Sequence, residues 1–122
     1  MSKRILVVED QEDNRQILRD LLSTADIEIT EAENGEQALA AVAKQRPDLI
    51  LMDIQLPVMD GYEATRRIKG NPATKDIPII VVTSYALSGD EARAREAGCD
   101  DYVTKPYSPR ALLAKIREYL PK

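Results

Sequence analysis

Three runs of consecutive apolar residues, Ile5–Val8, Leu49–Met52 and Ile79–Val82, each break off at an acidic or hydroxyl side chain. An apolar run without alternation has no wet face, so as a strand it must be covered on both sides. Two further strand signals lie at 27–32 and 101–104, and amphipathic stretches near 12–24, 35–45, 60–69, 88–97 and 109–120 fall between and after the strands. Strands near 4–8, 27–32, 49–53, 79–83 and 101–104 alternating with helices are the pattern of βαβ units, hence an α/β fold with a parallel sheet. Ile27-Glu28-Ile29-Thr30 alternates instead of running apolar, which places the second strand at an edge.

The helices carry core stripes: Ile17, Leu18, Leu21 and Leu22 on the first, Tyr62, Ala64, Thr65 and Ile68 on the third, Leu112, Leu113, Ile116 and Leu120 on the fifth. Ser108-Pro109 reads as a cap with proline at the first helical position, Ser88-Gly89-Asp90-Glu91 as a capping box, and Gly70 and Gly98 as stops. Gly70-Asn71-Pro72-Ala73-Thr74 is the one linker-like stretch. Helix four offers the core only Ala92, Ala94 and Ala97 after Leu87. It is either an element held weakly enough to move or a static alanine-rich surface helix, and composition does not separate the two.

A chain of 122 residues is one domain, able to bury a core without disulfides. With 17 basic and 21 acidic residues the net charge is −4, which disfavours duplex nucleic acid as a partner. Arg66, Arg67 and Lys69 read as the solvated face of a helix. No run reaches membrane-spanning length, and the basic start Met1–Arg4 leads into acids rather than a signal-peptide core, so the expectation is a soluble cytoplasmic protein with no membrane partner. The lone Cys99 has no internal disulfide partner and reads as a small buried filler.

The run ends hold the chemistry. Open parallel sheets bind ligands outside the carboxyl ends of their strands, and there the chain places Glu9-Asp10, Asp53, Thr83 and, after the fifth strand, Lys105. Three carboxylates at one point attract a hard divalent cation, and Mg²⁺ takes one or two carboxylates while keeping room for waters and phosphate oxygens. Glu9-Asp10 alone could equally be helix N-terminal charge, Thr83 a strand-end hydroxyl and Lys105 a surface lysine. Taken together they suit phosphoryl transfer: a carboxylate nucleophile, a metal, an ammonium and a hydroxyl for the phosphoryl oxygens.

Ile5-Leu6-Val7-Val8-Glu9-Asp10, Met52-Asp53-Ile54-Gln55-Leu56-Pro57-Val58-Met59-Asp60-Gly61, Val82-Thr83-Ser84-Tyr85-Ala86 and Gly98-Cys99-Asp100-Asp101-Tyr102-Val103-Thr104-Lys105-Pro106 resemble the receiver domains of two-component response regulators. The resemblance runs from residue 4 to about 120. It implies a (βα)5 flavodoxin-like fold with strand order 2-1-3-4-5, and Asp53 as acceptor of a phosphoryl group from a partner histidine kinase or histidine phosphotransfer protein. It further implies Mg²⁺ on Asp10, Asp53 and the backbone carbonyl of Gln55, with Glu9 acting through water. Thr83 and Lys105 would hold the phosphoryl group, Tyr102 would be the switching aromatic, and Lys105–Pro106 a cis peptide. Signalling would go to a downstream protein through the face of the fourth helix, fifth strand and fifth helix. Tyr85, Tyr102, Tyr107 and Tyr119 fall in that half of the chain, as interface residues or as caps on the core edge. Residues 1–122 would form a single receiver domain without an output domain, resembling the DivK type of cell-cycle regulators.

Rival readings need other residues. A phosphatase of the haloacid-dehalogenase type needs a second acid two positions after its nucleophile, where this chain has Gln55, and TOPRIM-type nucleases need an Asp-x-Asp absent at Asp53-Ile54-Gln55. A receiver-like binding module that works without phosphate remains as an alternative. Within the receiver reading, Gln55 and Tyr85 occupy the positions that tune phosphate lifetime, and bulky Tyr85 crowds the path of an attacking water. Tyr85→Ala is expected to speed loss of the phosphoryl group, read as the decay of labelled protein; an unchanged decay rate would sink that role.

Overall fold

The computed structural model describes residues 3–83, 90–105 and 107–120. Five strands, β1 (Lys3–Val8), β2 (Ile27–Ala32), β3 (Leu49–Asp53), β4 (Ile79–Thr83) and β5 (Asp101–Thr104), alternate with five helices. These are α1 (Glu12–Ser23), α2 (Gly35–Lys44), α3 (Gly61–Lys69), α4 (Asp90–Ala97) and α5 (Pro109–Tyr119). All strands pair in parallel, in the order β2-β1-β3-β4-β5. This is the flavodoxin-like order the resemblance implied, with alternating β2 at an edge.

The strand order reverses between β1 and β3, so the connections leaving those strands diverge to opposite sides and open a crevice above them. Every residue of β3 and β4 is buried. On one face Leu6, Ile50, Met52 and Val81 pack under α2, α3 and α4; on the other Ile5, Val7, Leu51 and Ile80 pack under α1 and α5. Burying a Leu or Ile side chain is worth about 1.5–3 kcal/mol, so these two layers carry most of the stability. No helix among the described residues is long and apolar enough to cross a membrane.

The caps follow from the sequence. Ser108 Oγ accepts the Ala111 N–H at 3.3 Å with Pro109 at the first helical position, Asp60 accepts from Glu63 at the start of α3, and Asn34 from Gln37 at the start of α2. Gly98 ends α4 with φ 104°, in the left-handed region, as a helix stop requires. Gly70 ends α3 in right-handed geometry at φ −83°, so there the stop is a turn rather than a left-handed cap. Its continuation is no linker. Asn71 Oδ1 accepts from Ala73, Thr74 Oγ1 donates to the Ile68 carbonyl at 2.7 Å, and Lys75 and Ile77 close further turns.

Several side chains depart from their expected places. Ile17 is 53% exposed, because the α1 stripe turns it toward the gap between α1 and α5 rather than onto the sheet, while Leu18 and Leu22 are buried. On α4, Ala94 and Ala97 are buried and Ala92 is exposed. Arg66 and Arg67 pair with Glu63 on the solvated face of α3. Lys69 turns inward, donating to the Ile77 carbonyl at 2.7 Å and pairing with Asp100 at 2.7 Å, which ties α3 to the turn before β5. Cys99 is buried and its thiol is pushed up to about 11, chiefly by burial, as befits a filler. Tyr107 and Tyr119 pack at the edge of the α1/α5 layer, and Tyr119 donates to Asp101, so both cap the core edge. The Ser88–Glu91 cap, Tyr85 and the Lys105–Pro106 peptide lie outside the described residues.

Thr65 on α3 is fully buried, and its Oγ1 has no hydrogen-bond partner among the described residues. An unpaired buried hydroxyl costs about 1–3 kcal/mol. Thr65→Val keeps the shape and the β-branch, and it is expected to raise stability by about 1 kcal/mol. Urea unfolding would show a higher midpoint at unchanged slope.

Candidate functional site

Four strand ends converge where the order reverses. β1 runs into Glu9, whose N–H donates to the Ala32 carbonyl at the end of β2. β3 ends on Asp53 and β4 on Thr83, both buried, and the Lys105 N–H donates to the Thr83 carbonyl at 2.6 Å. Carboxylate oxygens of Glu9, Asp10 and Asp53 all lie within 4.8 Å of one another. The Lys105 ammonium reaches in from the far side, 2.8 Å from Glu9 Oε1 and 3.4 Å from Asp53 Oδ2.

The backbone around the acids is held as tightly as their side chains. Glu9 Oε2 accepts from the Gln11 N–H at 3.1 Å, and Asp53 Oδ1 from the Gln55 N–H at 3.2 Å. The loop after β3 folds back, with the Gly61 N–H donating to the Ile54 carbonyl at 2.9 Å. A Cβ on Gly61 would run into the Asp53 carbonyl, so only glycine lets α3 begin this close to the end of β3. Val58, at the crest of that loop, is exposed and takes φ 66°, which a β-branched side chain strongly disfavours.

Charge is shared unevenly among the acids. Burial pushes the Asp53 carboxyl up to about 6, and the neighbouring Glu9 charge pushes the same way against Lys105. Burial acts on Glu9 as well, but the Lys105 hydrogen bond and the Gln11 N–H outweigh it and hold Glu9 below its usual range. The shorter Lys105 contact is the one to Glu9, which accounts for the difference. Asp10 is raised, by burial and by Glu9. Lys105 itself is raised: burial opposes its charge, and the two acids more than restore it.

These donors suit a hard cation. All three are carboxylates, Asp10 is the more open of them, and Mg²⁺ prefers few protein oxygens plus water. A cleft of about 470 Å³ lies beside the acids, between α1 and the start of α5, lined by Ile17, Leu18, Tyr107 and Pro109.

The structure thus brings together Glu9, Asp10, Asp53 and Lys105, with Thr83 at the adjoining strand end. Gln55 is exposed and touches the site through its backbone N–H. Tyr102 sits apart on β5 opposite Val81, half-buried against the α2/α3/α4 layer. Two contacts were not legible in the sequence. Arg15 donates to the Glu9 carbonyl at 2.8 Å, and the Arg93 guanidinium lies 4.3 Å from the centre of the Tyr62 ring, joining α4 to α3. Both link residues from different elements or turns, and no spacing rule announces them.

An unfolded aspartate titrates near about 3.9, below the folded value of Asp53, so the fold favours the protonated acid. Stability present below about pH 4 is lost as pH rises through about 6. Without Mg²⁺, Asp53→Asn is therefore expected to raise stability at pH 7.5 by about 2–3 kcal/mol and to leave it nearly unchanged at pH 4. Urea unfolding in a chelator at the two pH values measures both.

Residues 5–117 match the family described as the response regulator receiver domain. The chain is 42% identical over 120 residues to the polar-differentiation response regulator DivK of Brucella anthropi, covering 98% of each chain. The fold is similar to a response regulator from Chloroflexus aurantiacus at TM-score 0.95 and 31% identity, with both chains fully covered. It is also similar to the receiver domain of sensor histidine kinase PA1611 from Pseudomonas aeruginosa, at TM-score 0.90 and 36% identity over 98% of each chain; that structure has a magnesium ion coordinated in its active site cleft. With matched residues spanning nearly its whole length and an acidic pocket at the reversal of its strand order, the chain belongs to the response regulator receiver domain family.

Proposed function

We propose that this chain acts as a response regulator receiver, which accepts a phosphoryl group on Asp53 from a partner histidine kinase or histidine phosphotransfer protein. The observation that carries this is the meeting of Glu9, Asp10 and Asp53 within 4.8 Å beside the Lys105 ammonium. A deprotonated Asp53 oxygen attacks the donor's phosphorus in line with the departing nitrogen. The P–N bond breaks, its electron pair stays with the donor imidazole, and that imidazole takes up a proton. With its acid titrating at about 6, Asp53 is available as a carboxylate at neutral pH.

Glu9, Asp10, Asp53 and the Gln55 carbonyl would hold Mg²⁺, which when bound supplies positive charge to the phosphoryl oxygens. Lys105 exchanges its contact with Asp53 for a phosphoryl oxygen, and the Thr83 hydroxyl donates to another. Movement of Thr83 toward the phosphoryl group leaves room for Tyr102 to turn inward. The face of α4, β5 and α5 then changes its affinity for a downstream protein, by no more than the free energy separating the two states. Gln55 and Tyr85 set how long the phosphoryl group lasts. Apart from assisting its own phosphorylation and dephosphorylation the chain has no catalytic task. It works in the cytoplasm, in the manner of the DivK regulators.

Incubation with Mg²⁺ and acetyl phosphate, followed by intact mass, is expected to show one added phosphoryl group on the wild type. Asp53→Asn should show none, and neither should wild type in a chelator. An adduct on Asp53→Asn would move the acceptor elsewhere. Unaltered partner binding by Asp53→Asn would mean a module that works without phosphate.

A further inference from the structure

We propose that Arg15 is a positioning residue for the metal-binding turn, an inference that rests on Glu9 and Asp10 forming part of a Mg²⁺ site. Its side chain is only 10% exposed, rare for an arginine one turn into a surface helix. Nη1 donates to the Glu9 carbonyl at 2.8 Å, Nε to Glu31 Oε1 at 3.0 Å and Nη2 to Glu12 Oε2 at 2.6 Å. The guanidinium is therefore fixed on three sides, by α1, by the β2 edge and by the turn after β1. Arg19 pairs with Glu31 and Glu12 as well and holds both acids in place.

The Glu9 carbonyl belongs to the peptide unit that carries the Asp10 N–H. Glu9 is thus clamped from both ends, its N–H on the Ala32 carbonyl and its C=O on Arg15. Two of the three carboxylates come from this one turn, and the direction of the Asp10 side chain follows the plane of the peptide that Arg15 fixes. Partners one step behind the ligands commonly set metal affinity by holding ligand geometry. A planar fork serving a carbonyl and two carboxylates is a task for arginine, and the point charge of a lysine does not replace it.

Geometry and bare charge predict opposite signs. A positive guanidinium near a cation site repels the cation, so if Arg15 acted by charge alone its removal would tighten Mg²⁺ binding. If it acts by positioning, removal loosens binding. Arg15→Met is expected to weaken Mg²⁺ binding, measured by titration calorimetry, on the order of tenfold. Arg15→Lys, which keeps the charge, is expected to weaken it too and serves as the milder variant if Arg15→Met folds poorly. In the Mg²⁺-free protein the Asp10 and Gln11 amides should exchange with solvent faster in both variants, while those of β3 and β4 hold their rates. Wild-type binding retained or tightened in the variants, with unchanged Asp10 and Gln11 exchange, overturns the positioning role and leaves the metal site standing. A wild type that binds no Mg²⁺ overturns the reading of the site, and the positioning role with it.

Discussion

Two buried carboxylates and one ammonium at a single point of the sheet are the constraint on which the rest of this molecule turns. Glu9 and Asp53 are almost wholly removed from water, and their mutual repulsion is tolerable only because Lys105 reaches both. The compensation is incomplete and unequal, favouring Glu9. Asp53 is left short of positive charge, which a cation at the three carboxylates would supply. Parallel topology is what makes such a meeting possible, since it delivers the carboxyl ends of β1, β3, β4 and β5 to the same edge.

Much of this was legible in the chain. Apolar runs of four residues announced strands covered on both faces, and the polar residue ending each run announced the pocket, because parallel strands bring their carboxyl ends to one edge of the sheet. What stayed hidden depended on tertiary neighbours. Ile17 lies on the apolar stripe of α1 by periodicity, yet α1 and α5 part where it points, so it lines a cleft. Lys69 belongs by spacing to a wet basic face, but carbonyls and an aspartate at the lower end of the sheet draw it in. The turn from Gly70 to Thr74 has the composition of a linker, and side-chain hydrogen bonds to its own backbone make it rigid. Arg15 carries no sequence signal, because its value comes from a carbonyl, and backbone acceptors leave no mark on composition.

The two ends of the sheet divide the labour. At the carboxyl end, charge is concentrated, a loop is held with Val58 in a costly conformation, and Gly61 packs against the Asp53 carbonyl. At the amino end, Lys69 and Asp100 join α3, β4 and the turn into β5 through hydrogen bonds that close on one another. The amino end is thus tied together by contacts of its own, separate from those that hold the acids at the carboxyl end.

That division has a consequence for α4. It is anchored at its last turn, near Gly98 and Asp100, and touches the core through the methyl groups of Ala94 and Ala97 and through Arg93 laid on Tyr62. So little buried area is at stake that its outward residues can be exchanged freely without endangering the core. The surface of this helix can thus be rewritten residue by residue while the pocket of Glu9, Asp10, Asp53 and Lys105, built from other elements, keeps its shape.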